Sequence, residues 1–179
     1  MDRKALIISK LREKLSARVR AKRVLNVIRT VLDDTLGWSY DCFEKKMIIQ
    51  TGVRLRSRLR VARIIIDVKE SSYLVYTISP MGGMPGKLKE LMEFLSRLNY
   101  GLMNGNFELD YNDGEVRYKT FVNLNGMHSV STAVILDSIL MGCQMMDVAG
   151  DGLAAIALGS GEADVEARKV ESRLQKLQR

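Results

Sequence analysis

The stretch that decides the fold is Pro85–Val122, PGKLKELMEFLSRLNYGLMNGNFELDYNDGEVRYKTFV. It carries one amphipathic helix into one β-hairpin. Leu88, Leu91, Met92, Leu95, Leu98 and Leu102 recur at helical spacing, which places them on one buried stripe. Pro85 suits a first helical turn, where its missing N–H costs nothing, and Gly101 and Gly105 supply the stop. Asp113-Gly114 then predicts a two-residue hairpin turn, because the type I′ geometry needs the positive φ that Asp and Gly tolerate. That turn sets a register. Tyr111 faces Val116, Leu109 faces Tyr118 and Phe107 faces Thr120 on an apolar side, while Asp110–Arg117 and Glu108–Lys119 form ion pairs on the other.

Outward from this stretch the pattern divides cleanly. Upstream, residues 46–79 switch to β periodicity: Met47–Leu55 and Leu59–Val68 are rich in Ile, Val and Leu, and Tyr73–Ser79 alternates. Glu70-Ser71-Ser72 makes a tight turn between the last two. Between the first two the turn falls at Arg56-Ser57-Arg58, with Gly52 as the competing site. Residues 2–36 read as helix, ended by Gly37, and PMGGMPG (80–86) is a loop. Downstream, Ser129 or Ser131 caps a strongly apolar helix through about Val148. A Gly/Ala-rich stretch, 149–161, precedes a charged helix from Glu162 to Leu177. The order is α-β-β-β-α-β-β-α. It predicts an α+β fold with a five-stranded antiparallel sheet and helical extensions at both ends. The expected division is a basic helical extension (1–21), an α+β domain (22–150), and a linker with a charged C-terminal helix (151–179).

Charge is unevenly placed. Residues 1–25 hold nine Lys and Arg against Asp2 and Glu13, which equals the net charge of +7, so the rest of the 179-residue chain is neutral. Within that segment Arg12, Lys14, Arg18, Arg20, Lys22 and Arg23 form a basic helix that suits an anionic surface such as nucleic acid or membrane. It has no aromatic residue for stacking or interfacial anchoring. Two distant cysteines, Cys42 and Cys143, fit a reducing compartment, and no stretch reads as a signal-peptide core or a bilayer span. A soluble cytoplasmic protein is the expectation.

Leu95–Tyr118 with the preceding strands resembles the YbjN-like family of bacterial proteins, whose members are described as candidate sensory transduction regulators. The residues that carry it are FLSRLNY (Phe94–Tyr100), GNFELD (Gly105–Asp110) and the acidic-Gly turn followed by EVRYK (Glu115–Lys119). The likeness spans roughly residues 22–150. It implies a type III secretion chaperone-like fold, a homodimer, and a non-catalytic role in binding a protein partner or in regulation. The matched positions Arg97, Asn99, Tyr100, Phe107 and Gly114 carry structural roles on this reading.

The residues themselves offer no assembled chemistry. His128 is the one histidine and reads as a turn residue; it has no nucleophile or orienting carboxylate beside it. PMGGMPG matches no phosphate-binding motif. Neither catalytic residues, nor a metal or cofactor site, nor a small-molecule substrate is expected. Arg54, Arg56, Arg58 and Arg60 alternate with Val53, Leu55, Ser57 and Leu59. They form either a recognition patch for an acidic partner or phosphates, or a solvated face whose charge deters strand association.

Overall fold

The computed structural model describes the backbone of residues 3–127 and 129–177, and their side chains except at 3–12, 14 and 177. The reading of His128 and the side-chain roles of Arg12 and Lys14 therefore lie outside the described residues. Helix α1 (Arg3–Thr30) runs unbroken across the expected boundary at residue 21 and ends in a π-helical turn, Val31–Leu36. Gly37 stops it in the left-handed conformation at φ 63°. From Ala21 onward α1 docks through Ala21, Val24, Leu25 and Ile28, whereas Leu15 and Val19 before them are exposed.

The sheet has six strands, not five: β1 (Asp41–Phe43), β2 (Ile48–Arg54), β3 (Val61–Val68), β4 (Ser72–Ile78), β5 (Asn106–Leu109) and β6 (Val116–Asn123). They lie in the order β1-β2-β3-β4-β6-β5, all antiparallel. The added strand is β1, too short for its alternation to register. The first long hairpin turns at 55–60, around Arg56-Ser57-Arg58, and Gly52 lies within β2 opposite Arg63.

The β5–β6 register differs from the expected one by two residues. Leu109 faces Val116, Phe107 faces Tyr118 and Glu108 faces Arg117. The cause is Asp110. Its carboxylate accepts the Asn112 backbone and side-chain N–H groups at 2.8 Å each, an Asx turn in place of a cross-strand pair. Asp110 N–H donates to Glu115 at 2.9 Å, which closes a longer loop with Gly114 at φ 76° near its end. An even slip keeps every side chain on its face. Glu108 still reaches Lys119 as well as Arg117.

Three more elements cover one face of the sheet. Helix α2 (Leu88–Asn99) buries Leu91, Phe94, Leu95 and Leu98, while Met92, assigned to its stripe, is exposed. Helix α3 (Thr132–Ala157) is capped by Ser131 and is longer than expected: residues 151–157 are its last turns and not the start of a linker. By length and composition alone α3 is apolar enough to cross a membrane, contrary to the sequence expectation. Here it is the central core helix. Gly142 lies where an added Cβ would meet Thr77 Oγ1 at 2.3 Å, so helix and sheet approach closely. Helix α4 (Ala163–Leu177) packs on α2 and α3. The core has two parts, one under α1 and the first half of α3, the other among α2, α4, the second half of α3 and β5–β6.

Candidate interaction surfaces

Alternation along β2, β3, β4 and β6 sends Ile49, Ile64, Ile66, Tyr73, Val75 and Tyr118 under the helices, all of them buried. Among the described residues no helix covers the opposite side. Its first row runs Phe43, Ile48, Asp67, Leu74, Phe121, and its second runs Gln50, Ile65, Tyr76, Lys119. Phe43 and Phe121, at the two ends of the first row, are 44% and 56% exposed, and Val61 at the far end of β3 is 50% exposed. The charges on this face neutralise one another. Lys69 meets Asp67 at 2.6 Å, Arg117 meets Glu108 at 2.8 Å, and Glu115 lies 3.6 Å from Arg63. Arg117 also sits 4.5 Å over the Tyr76 ring. Lys119 and Arg117 hold the Glu108 carboxyl below its usual range against the upward push of burial.

The arginine run caps the far end of β2 and β3. Leu55, Ser57 and Leu59 point inward and are buried, and Arg54, Arg56, Arg58 and Arg60 point outward. Two α3 carboxylates fix the loop. Asp147 Oδ1 accepts the Arg56 and Ser57 N–H groups at 2.7 and 2.8 Å, and Asp151 Oδ1 accepts the Arg58 N–H at 3.0 Å. The Arg58 N–H, with Arg173, keeps the Asp151 carboxyl below its ordinary range. None of the four guanidinium groups has an ion-pair partner among the described residues.

At the other end of the sheet a groove of about 850 Å³ opens between α1 and the β1–β2 turn. Sequence order hides it, because its walls come from residues 18–26, 44–47 and 68–70. Arg18 and Lys22 of the basic helix line it; Arg20 turns away and donates to the Glu70 carbonyl at 3.0 Å, and Arg23 is exposed elsewhere.

The matched family positions sit at the α2–β5 junction. Asn99 donates Nδ2–H to the Phe107 carbonyl at 3.0 Å and accepts the Phe107 N–H at 2.8 Å, bracketing the backbone of the edge strand. Phe107 stands edge-on to Tyr118, with ring centroids 4.9 Å apart. Gly114 lies against the 80–86 loop: Gly83 N–H donates to its carbonyl at 2.8 Å, and a Cβ on Gly114 would fall 2.3 Å from the Gly83 oxygen. That loop is thus packed on the hairpin tip. Arg97 pairs with Glu93 at 2.7 Å, and Tyr100 is 97% exposed. Among the described residues no three His, Cys, Asp or Glu side chains gather as a metal site. Burial pushes the Cys143 thiol up to about 11 and the Tyr118 hydroxyl up to about 12, which leaves both protonated.

These features define a class: an α+β protein with an antiparallel sheet covered by helices on one face. No family model and no curated protein matches the chain. Its structure is similar to the crystal structure of YbjN, a putative transcription regulator from E. coli, with a TM-score of 0.51 at 17% identity. The match covers 73% of this chain and 89% of that one. The fold is YbjN-like, as the resemblance at Phe94–Tyr100 and Gly105–Lys119 implied.

Proposed function

We propose that the protein is a non-catalytic regulatory module that works by binding protein, as a homodimer joined through the open face of its sheet. The observation that carries the reading is that face, whose first row is apolar at four of its five positions, with Asp67 paired to Lys69, and whose charges are largely matched. Strands about 4.8 Å apart and about 25 Å long give an area on the order of 600 Å², comparable to the roughly 800 Å² per partner of a stable interface. Neutrality matters because two copies of a +7 chain repel each other, and this face is where repulsion is least. Helix α3, the other strongly apolar element, packs against the sheet, α2 and α4, with Val134 and Leu140 on its outer side exposed.

Sedimentation equilibrium at micromolar concentration is expected to give about twice the chain mass of 20.2 kDa. Phe121→Asp is expected to give the monomer with its helical circular dichroism intact. A monomer throughout for the unaltered chain overturns the reading.

A second reading rests on the exposed cations of α1, Arg18, Lys22 and Arg23, as an electrostatic contact with nucleic acid or an anionic membrane. Duplex DNA engaging about six cations gives a log-affinity slope near −5 against log salt. A slope that steep, lost on deletion of residues 1–21, moves the protein to this reading.

A further inference from the structure

We propose that the groove between α1 and the β1–β2 turn is a docking site for an acidic amphipathic segment of a partner polypeptide. The proposal rests on the reading of the chain as a binding module, but it uses a surface separate from the sheet face. The floor is apolar: Ala21, Leu25 and Val68 are buried at its base, and Met47 is half-buried beside them. The rim is cationic on both walls. Arg18 and Lys22 stand on α1 and Lys45 and Lys46 on the facing turn, all four exposed and without an ion-pair partner among the described residues. Two acids line the groove, Glu44, which meets Arg29 at 3.1 Å, and Glu70, whose carbonyl accepts from Arg20; against them stand these four cations and Lys69, which Asp67 holds from beyond the groove. An occupant that satisfies this site places carboxylates along both margins and apolar side chains against the floor.

A helix with apolar residues at i, i+3, i+4 and i+7 and acids on its flanks has that form. Residues 18–26 of α1 provide a wall about 12 Å long, enough for about two turns of such a helix. A nucleic acid fits less well: its backbone offers nothing to the apolar floor, and no aromatic residue lines the groove to stack a base. Met47 adds an independent sign. It holds φ at 57°, a conformation that favours glycine, yet it carries a flexible thioether to the groove. The strained backbone sets an adaptable apolar group where an incoming side chain would land.

The test is fluorescence anisotropy of the full chain with a labelled short peptide, leucine at those four positions and Glu or Asp elsewhere. Expected is saturable binding, weakened about tenfold or more by Lys22→Glu with Lys46→Glu, as reversal of rim charges requires. Met47→Gly relieves the backbone strain, so the expected result is weaker peptide binding at nearly unchanged thermal stability. Arg54→Glu with Arg58→Glu, at the opposite end, is expected to leave binding alone. Equal binding of a peptide with serine for leucine, or indifference to the groove charge reversal, overturns the proposal. So does tighter binding of duplex DNA or of phosphatidylserine vesicles at the same groove. Mass is measured on the same samples: the Lys22 and Lys46 variant is expected to stay dimeric, and Phe121→Asp to bind the peptide as a monomer. Loss of the dimer with peptide binding intact removes only the sheet-face reading, and the converse removes only the groove.

Discussion

The two faces of the sheet are built from the same strands and differ in one respect, the presence of helices. Along β3, Ala62, Ile64, Ile66 and Val68 are buried, while of the alternate positions Val61 and Arg63 are exposed and Ile65 and Asp67 are half-buried. A strand with one wet side ordinarily alternates apolar with polar. Here Ile65, Leu74, Tyr76 and Phe121 make the second side substantially apolar too. The contrast teaches that the helix-covered side accounts for folding and leaves the other side's composition unexplained. The sheet-face pairing proposed above would account for it.

Breaking each side separately sharpens that contrast. Ile66→Ala removes a fully buried side chain between Ile49 and Val75 and is expected to cost about 2–5 kcal/mol in urea unfolding. Phe121→Ala on the open side is expected to cost less than about 1 kcal/mol of monomer stability. Similar costs for the two would mean the open side is folding core. Asp147→Ala is expected to cost about 1–3 kcal/mol, because the Arg56 and Ser57 N–H groups lose their shared acceptor at the end of the groove-distal turn.

The smallest effect concerns pH. Glu108 and Asp151 are held below their usual values in the folded state, so the unfolded chain binds more protons as the solution is acidified. Their contribution is fully present above the unfolded carboxyl range and is lost as pH falls through the lowered folded values. Thermal melts are therefore expected to be flat near neutrality and to drop below about pH 4.5, with Glu108→Gln flattening part of the drop. A melting temperature that rises on acidification contradicts the assigned signs.

Much of the covered side was legible from residue order, and little of the interaction surface was. Leu91, Leu95 and Leu98 of the α2 stripe, though not Met92 or Leu102, the succession of strands after residue 46 and the inward face of the β5–β6 hairpin follow from spacing alone. The register did not, because Asp110 had two uses of similar strength, an ion pair with Arg117 or an Asx turn, and sequence spacing does not rank them. Strand β1 was missed because three residues hold too few alternations. Phe94 escaped the stripe although it lies on the buried side, where an added Cβ on Gly152 would meet its ring at 2.8 Å. The groove was invisible for a topological reason: Lys22, Lys46 and Lys69 come from three separated segments. Four alternating arginines were visible, but not the two carboxylates, some ninety positions later, that hold their backbone still.

The bracket that Asn99 places on Phe107 has a bearing on how far the protein can assemble. At one rim of the sheet the backbone groups of Phe107 are occupied, and at the other the rim strand is three residues long. A copy that joined by strand addition would expose a fresh rim for the next, and growth would have no natural end. With both rims blunted, the broad side of the sheet is the surface left for self-recognition. Under the proposed sheet-face pairing, two copies would occupy each other's surface, so association would stop at a closed pair and not grow into a filament.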